Sequence, residues 1–128
     1  MRKHGKTLFA RTVEKLIPII RSVRPCRDEK KFQGRIERAI RSADVSFSEF
    51  GREVACGKGK VDFLVDGVLV EIKTNGSPLE AARQAIKYCQ ARPEAVGALI
   101  VHTRGEAPKL ETIGTKPIQF LNVAFSSL

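Results

Sequence analysis

The hydrophobic positions change period three times along the chain. Over residues 6–23, Phe9, Val13, Leu16, Ile17 and Ile20 fall on one helical face and predict an amphipathic helix. Pro18 sits inside that pattern, so a kink or an early stop is expected there. "RPCRDEK" breaks the period. Asp28 then stands where it can cap a second helix running to about Ser42, with Phe32, Ile36 and Ile40 stacked at i, i+4 spacing. From "VSFSEFGREVACG" the period becomes strand-like, with Gly51 as a bulge site. In "KVDFLVDGVLVEIK", residues 60–73, Asp66-Gly67 lies between two apolar runs and predicts a two-residue type I′ hairpin, so that 60–65 and 68–74 pair antiparallel. Ser77, with Pro78 next and Glu80 three residues on, carries a capping-box pattern for a helix to about Gln90. "VGALIVHT" is a continuous apolar strand, "GEAPKLETIGTKP" a loop, and "IQFLNVAF" a last alternating strand. The order α, α, β, β, β, α, β, β predicts an α/β fold with helices packed on a mixed sheet, hairpin-joined at first. The strand–helix–strand run across residues 68–102 permits a parallel crossover.

The hairpin register places its charges. With Asp66 and Gly67 as the loop, Phe63 faces Val70, Asp62 faces Glu71 and Lys60 faces Lys73. Alternation then puts Asp62, Glu71 and Lys73 on one face, and Phe63, Val65, Val68, Val70 and Ile72 on the other. The apolar block is core. Directly opposed carboxylates repel by a few tenths to ~1 kcal/mol. A divalent cation between them turns that cost into binding, since Mg²⁺ is commonly held by one or two carboxylates with water and phosphate completing its shell. The bland alternative is an ordinary solvent-facing hairpin, where a lysine beside a glutamate is commonplace. Leu64 and Leu69 share the charged face, which implies that it is partly covered.

Composition adds a partner class. The 128 residues suit one domain, and 42% hydrophobic content allows a real core. The net charge of +9, from 23 Lys and Arg against 14 Asp and Glu, favours a polyanion. The basic residues are spread along the chain and form no juxtamembrane block. No stretch approaches the ~18 apolar residues of a membrane span, and the charged N-terminus does not read as a signal peptide. Cys26, Cys56 and Cys89 show neither CxxC pairing nor a His at zinc-ligand spacing. They read as reduced thiols of a cytoplasmic protein.

Asp62 followed by "Glu71-Ile72-Lys73" on the next strand resembles the PD-(D/E)xK nuclease superfamily, whose pattern is an aspartate on one strand and acid-x-lysine on the next. Val61 stands where the namesake proline would be. Glu37 in "QGRIERAI" matches the acid many members carry on the first core helix, though an exposed helical Glu reads the same way. Gln84 and Tyr88 in "RQAIKYC" match a glutamine–tyrosine pair on the helix after the lysine. The resemblance covers roughly residues 28–103. It implies a restriction-endonuclease-like α-β-β-β-α-β core, preceded by an N-terminal helical extension over 1–25 and followed by a loop and final strand over 104–128.

The activity so implied is Mg²⁺- or Mn²⁺-dependent hydrolysis of phosphodiesters. Asp62, Glu71 and the Ile72 carbonyl would ligate the ion, and Glu37 would assist. Lys73 would stabilise developing charge, and Gln84 would position water or backbone. Lys58, Lys60, Arg35, Arg38, Arg83, Lys87 and Tyr88 are the expected nucleic-acid contacts, mostly to phosphates that position without specifying. The expected partner is DNA, double-stranded or branched, with RNA as a further substrate class, and the expected form is a homodimer off the membrane. In size and charge the chain is similar to compact Holliday-junction resolvases. The alternatives are an exonuclease, a nuclease subunit of a repair or restriction complex, and a non-catalytic nucleic-acid-binding module of the same fold.

Overall fold

The computed structural model describes residues 5–124. Among these, three helices and six strands follow in the order α1 (Leu8–Arg21), α2 (Glu29–Ser42), β1 (Phe50–Cys56), β2 (Gly59–Val65), β3 (Val68–Lys73), α3 (Pro78–Ala91), β4 (Gly97–His102), β5 (Thr112–Ile113) and β6 (Lys116–Asn122). The strands form one mixed sheet in the order β1-β2-β3-β4-β6-β5. β1, β2 and β3 form an antiparallel meander, β4 lies parallel to both β3 and β6, and β5 folds back antiparallel on β6. The fold is therefore α/β.

Local chemistry sets the boundaries. The Thr7 hydroxyl accepts from the Ala10 N–H, Asp28 accepts from the Lys31 N–H, and Ser77 and Glu80 form a reciprocal capping box ahead of α3. Pro18 does not stop α1, which continues to Arg21. The missing proline N–H costs one intrahelical bond, but Phe9, Val13, Leu16 and Ile20 bury the helix on both sides of it. The hairpin turn has φ of +46° at Asp66 and +83° at Gly67, as a type I′ turn requires. Asp66 also ties down the chain entering β1: its N–H donates to the Glu49 carbonyl at 3.0 Å and its Oδ1 accepts from the Glu49 N–H at 2.7 Å.

Three expectations are corrected. The stretch expected to be loop, 105–117, contains β5 and the start of β6, joined through Gly114 at φ +65°. The last strand ends at Asn122, and Phe125, the expected end, lies outside the described residues. The distortion expected at Gly51 falls instead at Glu53, a non-glycine residue at φ +54°.

The sheet separates two apolar clusters. On one face α1 and α2 pack over Phe63, Val65, Val68, Val70, Ile72, Leu99 and Val101. On the other, α3 packs with Ala81, Ala85, Tyr88 and Cys89 over Val61, Leu64, Leu69, Ala98 and Ile100. Val61 and Phe63 are two apart yet belong to opposite clusters, so β2 turns over at Asp62. Glu53 lies across from that point, between the register pairs Arg52–Phe63 and Val54–Val61. The left-handed residue and the strand reversal are one local twist, and it prepares the site.

Candidate functional site

The β2–β3 ladder runs from Val65–Val68 to Phe63–Val70 and then gives way. Beyond it the two acids replace the missing backbone bonds. The Asp62 N–H donates to Glu71 Oε1 at 2.9 Å, and the Ile72 N–H donates to Asp62 Oδ2 at 2.7 Å. Each carboxylate thus reaches the opposite strand's backbone and keeps its second oxygen free of those bonds. Both side chains are half-buried.

This geometry sets their proton affinities. Burial, opposed by the bond from the Ile72 N–H, pushes Asp62 up to about 6. Burial first, and then the neighbouring Asp62 charge, pushes Glu71 up to about 8. The charge on either acid raises the cost of ionising the other, so the two titrate as one system. Lys73, half-buried on the same strand, acts on Glu71 in the opposite sense.

A third acid approaches from α2. Glu29, in its first turn, accepts at Oε1 from the Thr74 N–H at 3.0 Å, and its charge reaches both Asp62 and Glu71. Glu37 is placed elsewhere: one oxygen pairs with Arg52 at 2.8 Å and the other with Arg41 at 3.0 Å, and these bonds hold its carboxyl below the usual range. The α2 acid whose charge reaches the pair is therefore Glu29, about two helical turns before Glu37.

Gln84 and Tyr88 meet, with Gln84 Nε2 donating to the Tyr88 hydroxyl at 2.8 Å. Burial raises the Tyr88 proton affinity, and the charges of Glu71 and Asp62 raise it further. The Tyr88 ring lies against Gly59, where a Cβ would stand 2.9 Å from a ring carbon. Lys58, Gln84, Lys87 and Tyr88 line one side-cleft of about 400 Å³ between the β1–β2 turn and α3. Other clefts of about 430 and 540 Å³ lie beside α1. Lys60 is exposed on β2 and Arg83 on α3, while Arg35 is turned to the α1–α2 connection, donating to the Arg24 carbonyl at 3.0 Å, and Arg38 is exposed. The Ile72 side chain is buried.

Four residues of this region had escaped the sequence reading. Glu29 stands in the first turn of α2, where the helix dipole favours an acid whatever else it does. Lys30 donates to Glu53 across the sheet edge at 2.9 Å. Glu53 carried no glycine or asparagine signature for its backbone. His102 pairs with Lys73 in the β3–β4 register and is buried, its Nδ1 3.2 Å from the Arg104 carbonyl and its Nε2 without a partner among the described residues.

Among the described residues no group of three or more His, Cys, Asp or Glu side chains is close enough to form a metal cage by itself. Asp62 and Glu71 nevertheless fit a hard divalent ion as a two-carboxylate set. They are oxygen donors, desolvated, mutually repelling, and each retains an oxygen. Among the described residues no helix is long and apolar enough to cross a membrane. Comparisons with family models, with curated proteins and with solved structures each found no match.

Proposed function

We propose that the chain is a divalent-metal-dependent nuclease acting on DNA, with a restriction-endonuclease-like core formed by α2, β1, β2, β3, α3 and β4. One observation carries this reading: two carboxylates forced together at the split end of a hairpin, kept partly out of water, with a lysine two residues beyond one of them. A solvent-facing hairpin gains nothing from that juxtaposition, whereas a phosphodiesterase does. The element order from α2 to β4 supports the reading, as does the net charge of +9.

Asp62 and Glu71 would hold Mg²⁺ or Mn²⁺, with Glu29 rather than Glu37 as the supporting helix acid. When bound, such an ion supplies Lewis-acid activation of water and offsets phosphate charge. Lys73 orients the phosphate and stabilises charge gathering on its oxygens. Lys58 and Lys87, on either side of the side-cleft, bind flanking phosphates, and Gln84 fixes the Tyr88 hydroxyl at the cleft floor. Phosphate contacts of this kind make binding fall steeply with salt.

The test is cleavage of labelled linear, nicked and four-way-junction DNA, and of RNA, in Mg²⁺, Mn²⁺ or EDTA. Metal-dependent cutting that is lost in Asp62→Asn, Glu71→Gln and Lys73→Ala supports the proposal. Preference for junctions narrows it to a resolvase-like enzyme, and cutting only from ends narrows it to an exonuclease. Absence of cutting under every metal, with DNA still bound, leaves a binding module.

A further inference from the structure

α2 begins with two consecutive residues that bracket the acid pair. Glu29 is tied to Thr74, just past Lys73 on β3. Lys30 reaches the other way, to Glu53 on β1, with an Nζ–Oε2 distance of 2.9 Å. Its charge also acts on Asp62. The ion pair is solvated, with side-chain exposures of 70% and 43%, and such pairs contribute little to folding.

Glu53, however, is held in a conformation that disfavours it. It sits at φ +54° in an edge strand, opposite Asp62. A left-handed conformation is unfavourable for a non-glycine residue, and strain of this kind collects at working sites. The strand reversal at Asp62 sets that backbone, and with it the Glu53 carboxylate meets α2, where it holds Lys30, whose charge reaches Asp62.

We propose that Lys30 is a substrate-phosphate contact of this site and that Glu53 holds it there in the absence of nucleic acid, the incoming phosphate taking Glu53's place. The proposal rests on the nuclease reading. Lys73 and Lys30 then approach the reacting phosphate from different elements, Lys73 from β3 and Lys30 from α2. Glu53 is a positioning residue that competes with substrate. Removing its charge therefore strengthens binding only while Lys30 is present.

The experiment is a double-mutant cycle by fluorescence anisotropy on labelled duplex and four-way-junction DNA. It uses the full chain in Ca²⁺ at several salt concentrations, with Mg²⁺-dependent cleavage measured in parallel. Lys30→Ala is expected to weaken binding about 3- to 10-fold and to reduce the salt slope by about one. Glu53→Gln is expected to tighten binding by a similar factor, and the double variant to bind like Lys30→Ala alone. Equal tightening by Glu53→Gln with and without Lys30 would reveal a general charge effect and overturn the proposal. So would a Lys30→Ala variant with unchanged affinity and slope. If the wild type binds DNA and cuts nothing, the nuclease reading fails while the cycle still decides whether Lys30 contacts phosphate. If it binds no DNA, both fail. Thermal melts of each variant check that the fold is intact.

Discussion

Asp62 and Glu71 lower the stability of the chain that carries them. Their proton affinities in the folded state lie above those of an unfolded carboxyl. The folded protein therefore binds more protons, and stability falls as pH rises from the unfolded range near 4 through about 8. In the absence of divalent metal, melting temperature is predicted to be higher at pH 5.5 than at pH 8.5. Asp62→Asn and Glu71→Gln retain an oxygen for the Ile72 and Asp62 N–H groups and lose the charge. At pH 8.5 they should melt a few degrees above wild type, with the gap closing at pH 5.5. Scanning calorimetry at the two pH values checks this, and a variant that melts lower at pH 8.5 would refute the account of the pair. Gly59→Ala should have the opposite effect, since a methyl there would press on the Tyr88 ring. A loss of about 1–3 kcal/mol is expected by denaturant titration.

The elements differ in how much their sequence disclosed. The β2–β3 hairpin was legible because Asp66-Gly67 determines the turn locally and alternation does the rest. Gly67→Ala is therefore predicted to cost about 1–2 kcal/mol, from its positive φ and the Val96 side chain 3.3 Å from the added carbon. The capping box was equally plain, and Ser77→Ala should cost about 1 kcal/mol. The position of Glu29 was not legible, because it depends on where α2 starts relative to the end of β3, a contact 45 residues apart in sequence. Glu37 drew attention because it lies on the same helix, but its partner Arg52 belongs to β1, and no spacing rule links the two. β5 was hidden because two residues are too few to show a period.

At the scale of the molecule, α1 proves to be structural. Leu16 and Ile20 are fully buried in the cluster that contains Phe63 and Val101. The sequence separated residues 1–25 as an extension because the family resemblance begins after them, and resemblance is silent about packing. A chain lacking residues 1–25 is predicted to be unfolded by circular dichroism, and Leu16→Ala to lose about 2–5 kcal/mol. Pro18→Ala should instead raise the melting temperature, since it restores a helix donor at an exposed position.

The twist at Glu53 also affects how this molecule meets others. β1 is one border of the sheet, and its outer edge is bent out of line at mid-length and flanked by Arg52, Lys58 and Lys60. The opposite border, β5, is two residues long. β5 covers only Lys116 and Pro117, so the outer edge of β6 from Gln119 to Asn122 is the straighter of the two rims among the described residues. Edge-to-edge association is therefore disfavoured at β1, and the bend there guards that side of the sheet against fibrous pairing.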